Sequence, residues 1–203
     1  GITRTLLDSS VTLTDIDSSN FDGGSVIVSI SNGVATQDQL TVQDQGTGSG
    51  QISVDGSDVR YNFGSGAVSI GTISGGTGGT PLTISLNSNA TPVAVDALVQ
   101  RIAYGNSSQL PTTTPRTISI TVNDGDGNAN GGSSSVTQNI TMNVTSVNDA
   151  PTFSNLGGAR AFTEGGNAVV LDNNASLGDR ELAVLGDFGG ASLTLSRRGG
   201  TNS

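Results

Sequence analysis

The sequence contains no cysteine, histidine, lysine or tryptophan. Without cysteine there is no disulfide framework, no thiolate metal site and no cysteine nucleophile. Without histidine the chain cannot form a Ser-His-Asp triad or a His-ligated zinc site. Without lysine it has neither a P-loop lysine nor a Lys–Asn isopeptide crosslink. These absences remove several common classes of catalytic site before any motif is considered.

Aromatic residues and long apolar runs are also scarce. The 203 residues include two Tyr and five Phe, so few rings are available to stack on sugars as carbohydrate-binding modules usually do. No apolar stretch approaches the roughly 20 residues of a membrane span, and no signal peptide is visible at Gly1. We therefore expect no direct membrane insertion, and we expect the chain to be a slice of a longer protein.

The charged residues are unusual in both number and type. The formal net charge is −9, all eight cations are Arg, and the anions are fifteen Asp and two Glu. An acidic chain is a poor partner for nucleic acid, which requires a basic face. Asp is common in turns, where its side chain caps backbone N–H groups, and it is also the hard oxygen ligand of Ca²⁺ loops. Composition leaves these two roles open.

Alternation of apolar and polar residues dominates the chain and predicts antiparallel sheets with one wet face. The alternating runs cover residues 25–30, 51–54, 59–63, 81–86, 116–122 and 136–144. Gly-rich stretches separate the runs, and the stretch at 74–79 is typical of a hairpin loop. With so few aromatic residues, the core has to be built from Val, Ile and Leu. These features predict an all-β antiparallel sandwich.

Residues 90–104 break the alternation and predict one short helix. Val95, Leu98 and Ile102 have helical spacing. Thr91 is a suitable N-cap, and Pro92 fits the first helical position.

A weak internal repeat divides the chain. The sequence LDSSVTLTDID at 7–17 aligns with LDNNASLGDRE at 171–181, and FDGGSVIV at 21–28 aligns with FGGASLTL at 188–195. We therefore expect one nearly whole repeat at 1–147 that lacks its first strand, and a truncated second repeat at 153–203. The Asn-Asp-Ala-Pro sequence forms the linker at 148–152, where Pro151 favours an extended junction.

The acidic residues fall into three clusters near predicted strand ends. The clusters are Asp15, Asp17, Asn20 and Asp22; Asp124, Asp126 and Asn128; and Asn148, Asp149, Asp179 and Glu181. Each cluster could consist of solvated Asx-turns or could supply the six to eight oxygens that Ca²⁺ requires. The sequence GDGNANGG is not an EF-hand loop, because the closing Glu is missing.

The ordered set NDAPTF, FTEGG, VVL and SLGDRE resembles the start of a cadherin-type repeat, and VNDGDGN resembles the late acidic loop of that family. The longer unit is similar to the cadherin-like tandem repeats of large bacterial surface adhesins. The resemblance covers nearly the whole chain and implies a β-sandwich whose Ca²⁺ ions stiffen the junctions between neighbouring repeats of one polypeptide. It also implies an extracellular or cell-surface location.

The resemblance assigns metal ligands by position. Asn148 and Asp149 match linker ligands, and Asp179 and Glu181 match loop ligands of the second repeat. Asp15, Asp17 and Asp124 match the equivalent end of the first repeat. Glu164 matches a strand-borne Glu that serves the far end of the second repeat. The sequence departs from the family in two ways: the linker has fewer acids than animal cadherins, and Glu181 replaces an Asp.

Three functions follow as hypotheses. The first is a Ca²⁺-stiffened extracellular spacer or adhesion repeat, in which other domains bind the cell-surface or glycan target. The second is a carbohydrate- or surface-binding module, for which Tyr61, Phe63 and Tyr104 are the candidate rings, although the alternation places Tyr61 and Phe63 in the core. The third is a glycosidase with paired carboxylates, which the lack of an aromatic-lined cleft disfavours. We expect the chain not to be an enzyme.

Overall fold

The computed structural model describes residues 2–14, 19–127, 133–186 and 188–196. The chain divides into two compact units, Gly1–Ser146 and Val147–Ser203. Each unit is described by itself.

Two antiparallel sheets form the first unit. The strands are β1 (Arg4–Leu6), β2 (Ser25–Asn32), β3 (Asp38–Val42), β4 (Ile52–Asp55), β5 (Asp58–Asn62), β6 (Ala67–Gly75), β7 (Leu82–Leu86), β8 (Ile102–Asn106), β9 (Arg116–Asn123) and β10 (Ser135–Met142). A seven-stranded sheet has the order β10-β9-β2-β7-β6-β5-β4, and a three-stranded sheet has the order β1-β8-β3. The hairpin predicted at 74–79 joins β6 to β7.

One hydrophobic core lies between these sheets. Alternate residues of the longer strands enter it, as Val26 and Val28 do from β2 and Ile118 and Ile120 do from β9. Successive side chains of a strand point to opposite faces, so the alternation in the sequence becomes one apolar and one polar face. The predicted all-β, antiparallel, sandwich-like fold is confirmed.

The predicted helix is α1 (Pro92–Val99), with Thr91 as N-cap and Pro92 in the first turn. The Thr91 hydroxyl accepts the Ala94 N–H at 3.4 Å, and Val95 and Leu98 are buried in the core. The helix is shorter than the periodicity predicted, because Ile102 begins β8. That strand pairs with both β1 and β3, so sheet pairing overrides the helical spacing of Ile102.

The second unit contains little regular structure in its described residues. It has β11 (Thr152–Ser154), β12 (Ser176–Gly178) and a second helix, α2 (Arg180–Leu185), which the sequence analysis did not predict. The hydrophobic core cluster includes no residue of this unit. Phe21 of the first unit is 2% exposed, whereas its repeat-equivalent Phe188 is 40% exposed. The described part of the second unit therefore builds no comparable core.

Candidate metal centre

Two acidic loops lie together at one end of the first unit. Strand β2 begins at Ser25 and β9 ends at Asn123, and these two residues are register partners. The loop at 20–24 and the turn at 124–127 therefore meet at the same end of the sheet. Their backbones are so close that a methyl group on Gly125 would overlap the Asp22 carbonyl oxygen.

The described side chains of these loops stabilise tight turns. The Asn20 side-chain oxygen accepts the Asp22 N–H at 3.0 Å, and Asp124 Oδ1 accepts the Asp126 N–H at 3.2 Å. Asp124 is 8% exposed, whereas Asp22 and Asp126 are exposed. The Asx-turn alternative is thus realised at Asn20 and Asp124. Asp15, Asp17 and Asn128 lie outside the described residues.

Helix α1 anchors the segment that leads toward Asp15. The Leu13 N–H donates to Asp96 Oδ1 at 2.9 Å, and Gln100 Nε2 donates to the Val11 carbonyl at 2.8 Å. Val11 and Leu13 also pack against the core. The two polar contacts explain how a helix at the end of a sandwich fixes the segment before the first acidic pair.

The second candidate end lies within the second unit. Strands β11 and β12 are antiparallel, and Thr152 pairs with Gly178. The linker residues just before Thr152 and the loop residues just after Gly178 are therefore at the same end of this hairpin. Asn148 and Asp149 occupy the linker, and Asp179 directly follows β12, as the sequence analysis expected.

Asp179 caps helix α2, and this role was missed. Its Oδ1 accepts the Leu182 N–H at 2.9 Å, and Gly186 ends the helix in a left-handed conformation. The sequence carried this signal, because an Asp before a helix-forming run and a Gly after it mark the two helix ends.

Glu181 stands in the first turn of α2 and is half-buried. Both of its carboxylate oxygens are shielded from solvent, and they accept no hydrogen bond from the described residues. Arg180 could neutralise the neighbouring acids, but among the described residues it forms no ion pair with Asp149, Asp179 or Glu181; the salt bridges of that part of the chain are Asp58–Arg60 and Asp38–Arg116. A buried carboxylate without a donor is costly, so Glu181 is the residue here with the strongest need for a cation.

The structure does not assemble the whole ligand set. In the described part of the chain, no three acidic side chains lie close enough together to hold a metal ion. The Asn148 side chain donates to the Asp149 carbonyl at 3.1 Å. Glu164 lies in a turn, so the prediction that it is strand-borne is wrong. The reason is local: the Gly166 N–H closes the turn on the Thr163 carbonyl at 2.9 Å.

The internal repeat recurs as a hydrogen-bond pattern. Asp8 Oδ1 accepts the Ser10 N–H at 2.8 Å, and Asp172 Oδ1 accepts the Asn174 N–H at 2.9 Å. The aligned residues thus form the same Asx-turn in both units. Hydrogen bonds lower the pKa of both carboxyl groups, chiefly from the Ser10 backbone in Asp8 and from the Gly157 backbone in Asp172.

A buried charged network in the first unit was also missed. Asp38 accepts hydrogen bonds from the Tyr104 hydroxyl at 2.5 Å, from Asn106 Nδ2 at 2.7 Å and from Arg116 Nε at 3.2 Å. Arg116 is fully buried and also donates to the Thr112 and Thr114 carbonyls. The network joins β3, β8 and β9, and therefore connects the two sheets.

The network shifts the ionisation of its members. Burial disfavours the Asp38 carboxylate, but hydrogen bonds from Tyr104, Arg116, Asn106 and the Ala35 N–H together hold its pKa below the usual range. Burial and the adjacent Asp38 raise the pKa of Tyr104 to about 12. Asp38 is thus satisfied internally, in contrast to Glu181.

The aromatic residues of the first unit do not form a stacking surface. Tyr61 and Tyr104 are buried, and Tyr104 is engaged by Asp38. Phe63 is exposed, against the expectation that it lies in the core, and it meets Tyr61 edge-on with ring centroids 4.8 Å apart. A single exposed ring offers little to a sugar.

Among the described helices, none has the length and apolar character needed to cross a membrane. Comparison of the chain with protein-family models, with curated proteins and with solved structures finds no match.

Proposed function

We propose that this chain is a Ca²⁺-binding extracellular repeat, which acts as a stiffened spacer or adhesion module in a large bacterial surface or secreted protein. The observation that carries the proposal is the buried, unpartnered carboxylate of Glu181, at the hairpin end to which the Asn148–Asp149 linker also leads. The resemblance to cadherin-like repeats supplies the biological setting.

A buried carboxylate without a donor or a countercharge costs several kcal/mol, on the order of the whole effect of a large mutation. Gathering Asp149 and Asp179 near it would raise the cost through repulsion. A divalent cation reverses the sign of these interactions, because each carboxylate then faces a positive charge.

Ca²⁺ fits this donor set better than zinc or copper. The available groups are carboxylates, an amide and backbone carbonyls, which are the hard oxygen ligands that Ca²⁺ prefers. The absence of cysteine and histidine removes the soft and imidazole ligands that favour zinc or copper. When bound, the ion would hold the linker against the second unit and so restrict the angle between neighbouring repeats.

Three variants separate Ca²⁺ from helix capping and from Arg180. Glu181→Gln and Asp179→Asn should each weaken Ca²⁺ binding roughly tenfold, since affinity follows the ligand charge. Asn is as good an N-cap as Asp, so Asp179→Asn leaves α2 intact. Arg180→Ala should change Ca²⁺ affinity little. Isothermal titration calorimetry measures the Ca²⁺ affinities. Small-angle scattering with Ca²⁺ or EDTA measures whether the chain becomes more extended or more variable in shape when the ion is removed.

In the alternative hypothesis, Arg180 neutralises the neighbouring acids and holds the linker through salt bridges without a metal ion. In that case Arg180→Ala would loosen the junction, salt rather than chelator would do the same, and the two acid variants would bind Ca²⁺ like the parent chain. Such a result would contradict the proposal that Ca²⁺ binds at the linker.

A further inference from the structure

The outer edge of strand β10 is the least protected sheet edge of the first unit. Native proteins shield edges with short strands, charges, prolines or covering loops. The other edges follow this rule: β4 is short and ends in Asp55, β1 has three residues and carries Arg4, and Gly76 covers β3 through the Leu40 N–H at 2.7 Å. Strand β10 has eight residues, SVTQNITM, without a charge or a proline.

An apolar groove of about 320 Å³ runs beside this edge. Val11, Leu13 and Val99 line one side, and Val136 and Ile140 of β10 line the other. Val136 is 46% exposed. Within the described residues, the edge therefore offers backbone groups without a strand partner and apolar side chains that line one groove.

The register of β10 on β9 shows which backbone groups are free to pair. The Asp124 N–H donates to the Ser134 carbonyl at 3.2 Å, and this pairing continues as Val136 with Val122 and Ile140 with Ile118. Hydrogen-bonded and non-hydrogen-bonded pairs alternate along an antiparallel ladder. The even-numbered residues thus bond to β9, and the N–H and C=O groups of Thr137, Asn139 and Thr141 point outward. The Ser135 carbonyl also points outward but accepts the Ser133 hydroxyl at 3.3 Å.

We propose that β10 is a self-association edge, at which two copies of this chain pair antiparallel about a two-fold axis through Gln138. In this register Thr137 exchanges backbone hydrogen bonds with Asn139 of the second copy. Val136 lies opposite Ile140 of the second copy, so apolar side chains meet across both grooves and the amide of Gln138 meets its own copy. A second copy is the favoured occupant because this register sets Val136 against Ile140 and the strand carries no charge. Two copies of a chain with a net charge of −9 can therefore pair at this edge without bringing charged side chains of β10 together.

The absence of cysteine gives a direct test of this geometry. Gln138→Cys would place two thiols in a non-hydrogen-bonded pair with Cα atoms about 4.5 Å apart, within the roughly 4.4–6.8 Å of disulfides. Thr137→Cys is the matched control, because the two copies of residue 137 are offset along the strands by more than about 6.5 Å. Mild oxidation should link most of the Gln138→Cys chains into dimers and leave Thr137→Cys largely unlinked.

Sedimentation velocity of the whole chain measures the association without a crosslink. The parent chain should show a reversible dimer whose fraction rises with concentration. Gln138→Glu should weaken the dimer at least about tenfold, because two carboxylates would face each other across the axis, whereas Gln138→Ser should not. A monomer at every concentration, a dimer indifferent to Gln138→Glu, or equal crosslinking of both cysteine variants would overturn the proposal. The last two outcomes would indicate another surface or another segment as the occupant.

Discussion

Replacing Arg116 with methionine is expected to lower the free energy of unfolding of the first unit by about 3–5 kcal/mol, as removal of one partner of a buried ion pair does. The substitution would leave the Asp38 carboxylate buried between the sheets without its countercharge. The Thr112 and Thr114 carbonyls would also lose their donor. Urea unfolding followed by circular dichroism measures the change.

Arg60→Met is the matched control, since the chain offers a second Asp–Arg pair at its surface. Arg60 Nε and Asp58 Oδ2 are 2.6 Å apart, and both side chains are partly exposed. Exposed ion pairs contribute about 0–1 kcal/mol to the free energy of unfolding. Equal losses in the two variants would show that the buried network has no special role in stability.

The same network makes the stability of the first unit depend on pH in the acid range. The folded-state pKa of Asp38 is depressed, so its ionisation stabilises the fold above the unfolded-state pKa of about 3.9. That contribution should disappear as the pH falls through the lower folded-state value.

Gly125→Ala is expected to cost about 2–5 kcal/mol, more than any other single change in the acidic loops. Gly125 has φ +88°, a left-handed conformation that costs an alanine roughly 1–2 kcal/mol. The added methyl would also overlap the Asp22 carbonyl and the Gly24 backbone, and such overpacking adds about 1–3 kcal/mol. The two acidic loops would be pushed apart. Thermal unfolding measures the loss.

Gly127→Ala tests the same conformation without the close contact. Gly127 has φ +76° and no atom within 4 Å of the added methyl position, so only the backbone strain of about 1–2 kcal/mol applies. If the two alanine variants were equally stable, the close approach of the loops at 20–24 and 124–127 would be refuted.

The sheets could be predicted because their signal is local. In β2, β7, β9 and β10, apolar residues that enter the core alternate with polar ones. The N-cap Thr91 and Pro92 predict where α1 begins. Strand β1 was not predicted, because its three residues carry too little periodicity. Strand β8 was not predicted, because Ile102 continues the helical spacing of residues 90–104. Ile102 shows the conflict directly, since its spacing suits a helix and its pairing partners make it a strand.

The buried network was recoverable from strand phase. Arg116 alternates with Ile118 and Ile120, Asp38 with Leu40, and Tyr104 with Ile102, so all three polar residues occupy core-facing positions. When an acid, a base and a hydroxyl alternate with the same phase as the core residues of their strands, they indicate a buried ion pair with a hydrogen-bonded hydroxyl. What phase cannot give is which strands become neighbours, because that depends on the long-range order of the sheets.

The candidate metal ends were predicted only in part. The resemblance implied that the linker and a loop of the second repeat hold a shared ion. The β11–β12 register puts the residues before Thr152 and those after Gly178 at the same end of the strand pair. The cap formed by Asp179 and the shielding of the Glu181 oxygens from solvent depend on helix α2, which the spacing of the acidic residues does not indicate.

Calorimetry of the whole chain with Ca²⁺ and with EDTA tests the central claim most directly. At about 5 mM Ca²⁺ and an extracellular-type dissociation constant of roughly 0.1–1 mM, mass action stabilises the fold by about 1–2 kcal/mol per site. The melting temperature should therefore rise by several degrees with Ca²⁺, and a tenfold weaker affinity in Glu181→Gln should remove more than half of that rise. Identical melting curves of the parent chain in Ca²⁺ and in EDTA would contradict a calcium-binding role.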